Sequence, residues 1–186
     1  MGIPTLIKTL TASNDASLSF VDGAASVVFD GTYDEYMFVC TDIGPATDSA
    51  VFQFQVNATD DAGGGYDTSL ITSTFFRAFH YESGSNAGID YSTAQDLAQS
   101  ASFQNLVEQT GNGADESCAG ILHIFSPSST TYVKHFYGRF NSLHTSDVTL
   151  DCFSAGYIND TTAIDEIQFK MSSGNFDGVI QLYGIA

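Results

Sequence analysis

The stretch 165–185 constrains the fold more than any other part of this chain. Ile167, Phe169 and Met171 fall on one side of an extended backbone, and Glu166, Gln168 and Lys170 fall on the other. Side chains of a strand point to opposite faces with period two, so this run is a strand with one dry face. Ser172-Ser173-Gly174-Asn175 has turn chemistry, and a second apolar run follows at 176–185. The pair reads as a C-terminal hairpin with a loop of roughly four residues. A strand with one dry face must bury it against a second layer. The expectation is therefore a sandwich closed by its last strands.

The same grammar recurs along the 186 residues, at 3–11, 16–21, 26–29, 35–43, 50–57, 73–81, 117–125, 131–140 and 147–157. Turn signals such as Asp22-Gly23, Asp30-Gly31 and Asn159-Asp160 separate the runs. The run at 35–43 is almost continuously apolar and suits a strand buried on both faces. At 50–57, Phe52, Phe54 and Val56 are assigned inward, and Gln53, Gln55 and Asn57 outward. Only 82–113 departs from the grammar. There Ser92 and Gln95 form a capping-box pair that predicts one or two helical turns over 92–98. That segment is too long for a hairpin loop, so it is expected to cross between sheets or to make an exposed excursion. With 15 Phe, 9 Tyr, 17 Gly and no Trp, composition favours strands and tight turns. The fold class is all-β: one antiparallel sandwich domain, residues 1–186, of roughly ten strands with little helix.

Charge excludes several partners. With 22 acidic against 5 basic residues the formal net charge is −17, which repels nucleic acid and anionic membrane surfaces. A solubilising surface, bound divalent cations and an electropositive partner are each compatible with it. Cys40, Cys118 and Cys152 are odd in number, lie in strand-like apolar runs and form no CxxC, so buried free thiols are expected. Met-Gly-Ile-Pro-Thr lacks the charged and apolar regions of a secretory signal, and no apolar run approaches the ~20 residues of a membrane-spanning helix. Synthesis in a reducing cytoplasm is the expectation.

Candidate sites are few. None of the four histidines lies in HExxH, no serine lies in GxSxG, and no GxGxxG or Walker loop is present. His123, within Ile121-Leu122-His123-Ile124-Phe125, reads as a strand histidine satisfied by its neighbours. No catalytic residue and no cofactor is assigned. Asp60-Asp61 and Asn159-Asp160 offer hard oxygen ligands for calcium but lack EF-hand spacing, and turn carboxylates explain them equally. Rings combined with amides and carboxylates on one strand face suit a carbohydrate. His135, Tyr137 and Arg139 share such a face, as do Gln53, Gln55 and Asn57. An ordinary solvent face or a subunit contact remains the alternative.

Several stretches carry a family resemblance. They include Thr32-Tyr33-Asp34-Glu35-Tyr36-Met37-Phe38, Ile71-Thr72-Ser73-Thr74-Phe75-Phe76-Arg77-Ala78, Phe125-Ser126-Pro127-Ser128-Ser129-Thr130-Thr131-Tyr132, Ile164-Asp165-Glu166-Ile167-Gln168-Phe169-Lys170-Met171-Ser172-Ser173-Gly174 and the final Leu182-Tyr183-Gly184-Ile185. Together the chain resembles small virion structural proteins of tailed bacteriophages. The resemblance implies a jelly-roll-like sandwich without cofactor or enzymatic activity, located on the virion. Capsid decoration is the first expectation, and a tail or tail-fibre component binding a host glycan is the alternative. The implied partners are the major capsid protein or tail proteins of the same particle, and further copies of the chain in a homo-oligomer.

Overall fold

The computed structural model describes residues 2–60, 66 and 69–186; among them it contains twelve strands and no helix. These are β1 (Thr5–Asp15), β2 (Ser17–Val21), β3 (Glu35–Pro45), β4 (Phe52–Ala58), β5 (Ile71–Tyr81), β6 (Ala87–Tyr91), β7 (Gln104–Asn105), β8 (Cys118–Phe125), β9 (Lys134–His144), β10 (Val148–Ile158), β11 (Ile164–Met171) and β12 (Phe176–Ile185). They form two antiparallel sheets, an eight-stranded one in the order β1-β12-β3-β8-β9-β10-β5-β6 and a four-stranded one in the order β2-β11-β4-β7.

A nested pairing underlies this order. Among β1, β2, β3, β4, β7, β8, β11 and β12, the first pairs with the last, the second with the seventh, the third with the sixth and the fourth with the fifth. A long hairpin rolled across two sheets gives this nesting, which is the jelly roll. The β5–β6 and β9–β10 hairpins are additions that widen one sheet only.

The expected C-terminal hairpin is not formed. β11 lies in the small sheet between β2 and β4, and β12 lies in the large sheet between β1 and β3. Ser172–Asn175 is an arch between the layers. It is tied by the Ser172 amide to the Val51 carbonyl at 2.8 Å, the Val51 amide to Ser172 Oγ at 3.0 Å, and the Ala46 amide to the Asn175 carbonyl at 2.9 Å. Gly174 takes the arch through φ +71°, where a Cβ would stand 2.2 Å from Thr47 Oγ1. Period-two alternation identifies the dry side of a strand. It does not distinguish a neighbour bonded edge to edge from one stacked face to face across the core.

Rings fill the space between the layers. Phe169 of β11 lies 5.3 Å from Phe38, 5.8 Å from Phe52, 6.3 Å from Phe20 and 6.4 Å from Phe54, centroid to centroid, and all five are fully buried. Such contacts are tilted, edge-on or offset, as ring quadrupoles favour. The apolar piece at 26–29 forms no strand. It is a loop that plugs Val27 and Phe29 into the core, with Phe29 edge-on to Tyr36 at 5.3 Å.

Two expectations about burial are corrected. On β3, Tyr36, Phe38 and Cys40 are buried, but Met37 and Val39 are only half-buried, because no second layer of described residues covers the outer side of the large sheet. On β4, Gln55 and Asn57 are buried rather than solvent-facing. The Gln55 amide donates to the carbonyls of Ala101 and Ser102, both at 3.1 Å, which lie over the outer side of the small sheet. Asn57 reaches Asp165 at 3.4 Å.

Segment 82–113 does cross between sheets, but without a helix. After β6 it runs along β5, with Ser92 N to Phe75 O at 3.0 Å, Ser73 N to Leu97 O at 2.9 Å and Ser100 N to Ile71 O at 3.0 Å, and then reaches the small sheet as β7. The Leu97 amide, which a helix would need, donates to Ser73 Oγ at 2.9 Å, leaving only the Ser92–Gln95 turn.

Phe169→Ala is expected to destabilise the protein by about 3–5 kcal/mol, as removal of a fully buried ring does. Urea unfolding followed by far-ultraviolet circular dichroism checks it.

Candidate binding face

The two sheets differ in what covers their outer sides. The small sheet is capped by its own chain: Phe103 lies over Lys170, whose Nζ is 4.0 Å from the ring centroid, and the Tyr66 hydroxyl donates to Ser19 Oγ at 3.0 Å. Among the described residues the large sheet has no such cap, and its outer side carries exposed rings, with Tyr137 45 % and Phe76 43 % exposed.

Strand register arranges that face in rows. One row runs Met37, His123, Tyr137, Ala155, Thr74; the next runs Val39, Ile121, Arg139, Phe153, Phe76, Tyr91. Directly opposed residues on neighbouring strands are close enough for their rings to stack. His123 and Tyr137 lie 4.5 Å apart with planes 16° from parallel, and Phe153 and Phe76 lie 4.7 Å apart with planes 3° from parallel. The Arg139 guanidinium continues the second stack, with Cζ 5.1 Å from the Phe153 centroid.

Small residues among these rings leave two hollows. A groove of about 500 Å³ lies over Ala119, bounded by Ile121, His123, Tyr137, Arg139, Asn141 and Asp151. A slot of about 260 Å³ lies over Ala155, bounded by Thr74, Phe76, Tyr137, Arg139 and Phe153. Tyr137 and Arg139 line both.

The polar groups here hold one another in place. Arg139 grips Asp151 with both arms, Nε to Oδ1 at 3.1 Å and Nη2 to Oδ2 at 2.8 Å, and this bond raises the guanidinium pKa further. Asn141 donates its amide to Thr149 Oγ1 at 2.9 Å and to the Leu150 carbonyl at 3.0 Å. His123 Nδ1 contacts Glu35 Oε1, as expected of a satisfied strand histidine. Partial burial, and then the Glu35 carboxylate, raise the Tyr137 phenol pKa, so that Tyr137 is a hydroxyl donor at neutral pH.

His135, Tyr137 and Arg139 all emerge on this face, as their spacing indicates. Tyr137 and Arg139 share the hollows. His135 stands a row away, edge-on to Tyr157 at 6.3 Å, and lines neither. The companion set Gln53, Gln55 and Asn57 is not a surface site. Gln53 donates to Asn105 Oδ1 at 2.6 Å, and the other two are buried. The contributions of His123, Asp151, Phe153 and Ala155 depend on which strands are neighbours, a fact held in pairings and not in any one run.

Elsewhere, polar groups serve the fold. Asp160 accepts from the Thr162 amide and hydroxyl, both at 2.7 Å, and Asn159 donates to Gln99 at 2.7 Å, so this calcium candidate is a turn. Asp61 of the other candidate lies outside the described residues. Among the described residues, no cluster of three or more His, Cys, Asp or Glu side chains is placed to hold a metal. Arg77 bridges Asp90 of β6 and Glu108 of the crossing segment. Fully buried Lys134 donates to the carbonyls of Asp160, at 3.1 Å, and Thr162, and desolvation lowers its pKa.

The three cysteines are free and buried, as expected. Burial lifts all three thiols, Cys118 and Cys152 to about 12. At neutral pH none is a thiolate nucleophile. No protein-family model matches this sequence, and no curated protein matches it.

The folded protein at pH 8 is expected to leave an aromatic disulfide reagent unreacted over minutes, and to titrate three thiols once unfolded in guanidinium. Because the folded thiol pKa values lie above the unfolded ones, stability is also expected to hold below about pH 8.5 and to fall as pH rises further. Chemical denaturation at pH 7 and pH 10 checks this.

Proposed function

We propose that this protein is a non-enzymatic structural component of the exterior of a bacteriophage virion, where it decorates the capsid. The observation that carries the reading is the division of labour on its surface. The large sheet holds a bare, pre-ordered aromatic face, while histidines and carboxylates such as His123, His135, Asp151 and Asp160 are engaged in turns, stacks and ion pairs. Such a surface suits attachment. The resemblance of the sequence to virion proteins of tailed phages supports the particle setting.

Charge supports a mode of docking. Both ends of the sandwich are acidic: one carries Asp42 of β3, Asp177 of β12 and the turn residues Asp48, Asp115, Glu116 and Asp147, the other Asp22, Asp30, Asp34, Asp60 and Asp160. An acidic end of this kind complements a basic region of shell protein and speeds its capture. Docked end-on, with its strands rising from the shell, the protein keeps its large sheet out of the docking contact. Neighbouring copies around a shell symmetry axis complete the coat, as in other closed assemblies.

Quantitative mass spectrometry of purified particles tests this. The protein is expected in a fixed high ratio to the major capsid protein, and it should be released as salt rises from about 0.1 to 1 M, where screening of charge pairs becomes severe. A few copies per particle, all at the tail, would place it there instead. Absence from particles ends the proposal.

A further inference from the structure

The uncovered face of the large sheet carries an inference that goes beyond a place on a particle and does not depend on it. We propose that this face is a binding site for a neutral saccharide, with one sugar ring seated in the slot over Ala155 against Tyr137 and the adjoining unit lying in the groove over Ala119.

Ring geometry comes first. His123 and Tyr137 sit directly opposite each other on β8 and β9, and their near-parallel planes at 4.5 Å stack across the strands, so both rings stand upright on the sheet. Phe153 and Phe76 stand the same way on β10 and β5. The residue opposite Tyr137 on its other side is Ala155, so the stack that starts at His123 and Tyr137 stops short. One flat-sided ring set over Ala155 would continue it, with the far face of Tyr137 on one side. The slot is almost entirely apolar, and a sugar ring presents an apolar face of C–H groups to such a wall.

Polar chemistry comes next. Across the Tyr137–Arg139 ridge, the groove offers planar groups already fixed by one another: Arg139 on Asp151, and Asn141 on Thr149 and Leu150. These bonds leave further N–H groups on Arg139, lone pairs on Asp151, and Asn141 Oδ1 without a donor among the described residues. A sugar hydroxyl both donates and accepts at one oxygen, so adjacent hydroxyls can bridge a paired guanidinium and carboxylate without separating them. The site is ordered before any ligand arrives, which lowers the entropy cost of binding.

Charge selects among ligands. Arg139 and Asp151 neutralise each other, so the groove has no charge of its own to offer an anion. The chain as a whole carries −17, which opposes anionic ligands such as uronic-acid or sulfated glycans. A cationic ligand would prefer the acidic turns to this face. A dry protein partner fits less well. The centre of the patch is an ion pair whose Arg139 side chain is 67 % exposed, and sealing it from water would cost its hydration, whereas the fully buried centres of protein interfaces are depleted of charge. A hydroxyl-rich ligand keeps the pair hydrogen-bonded.

The test uses the labelled 186-residue chain on a printed array of neutral hexose and N-acetylhexosamine oligosaccharides alongside uronic-acid and sulfated ones. It is followed by titration calorimetry with the best neutral probe. Three variants are compared with the parent: Tyr137→Ala, Ala155→Phe, which fills the slot while removing no existing group, and Thr130→Ala, at an exposed position in the loop between β8 and β9. Thermal melts confirm that each is folded. The expected result is retention of neutral oligosaccharides, weakened at least tenfold by Tyr137→Ala and by Ala155→Phe, unchanged by Thr130→Ala, and little altered in 1 M sodium chloride. The proposal is overturned if no neutral glycan is retained, if retention is confined to anionic glycans, or if Ala155→Phe binds like the parent. It is also overturned if the two face variants lose only their seat on particles, which would make this face a protein contact. Absence of the parent protein from particles bears on the virion reading alone.

Discussion

The pairing of the chain's two ends with each other is the constraint on which the remaining structure depends. β1 lies against β12 and β2 against β11, joining residues as far apart as Thr5 and Gly184. Closing so long a loop costs entropy before any contact between its ends offsets it, and topologies rich in such non-local pairings tend to fold slowly. Aromatic burial offsets the cost. Phe20 on β2 and Phe169 on β11 meet Phe38 of the opposite sheet, so the same rings that join the terminal strands also join the two layers. Once β1 and β12 are side by side, β3 and β8 extend their sheet, and the eight strands of the jelly roll follow from nesting.

The two inserted hairpins then determine what the surface can do. Both add to the same sheet, which grows to eight strands while its partner stays at four. The strap from β6 to β7 uses its polar groups to close the side of the sandwich and cover β4, and Gln55 is the residue it covers. Among the described residues nothing equivalent lies over β8, β9 and β10. The exposed rings are therefore a consequence of topology: central strands carry wide side chains on both faces, and only one face has a layer to meet. Stacking among the rings relieves part of the cost of exposing them, and Arg139 extends the apolar surface with its own stem while keeping its charge in water.

What the sequence shows is the strand-by-strand alternation, and most strand positions follow from it. Phe136 and Phe140 inward with Tyr137 and Arg139 outward is legible in β9 alone. What it hides is adjacency. Residues 165–185 contain two good strands and a good turn, and both a hairpin and an arch satisfy that text. The choice is made by β1 and β2, at the far end of the chain. Gln55 looks like a solvent residue because nothing near it announces the strap that buries it. Ser92 and Gln95 look like a helix start because the competing acceptor for the Leu97 amide, Ser73 on β5, lies 24 residues upstream. The candidate face fails to declare itself for the same reason. Tyr137 acquires its meaning from His123 on one side and Ala155 on the other, and neither neighbour is near it in sequence.

The proposed role in attachment rests on how the ionisable groups are used. Catalysis needs acids, bases or nucleophiles whose affinity for protons is tuned and whose reactive atoms reach a substrate. Here several of the shifted groups are buried inside the sandwich. Burial raises the thiols of Cys40, Cys118 and Cys152 away from the reactive thiolate, and Lys134 is fully buried with its ammonium donated to backbone carbonyls. Where groups are accessible, on the large sheet, they are paired into neutrality, as Arg139 and Asp151 are. A face with ordered rings and donors and acceptors already fixed in place can select a ligand by shape and hydrogen bonding.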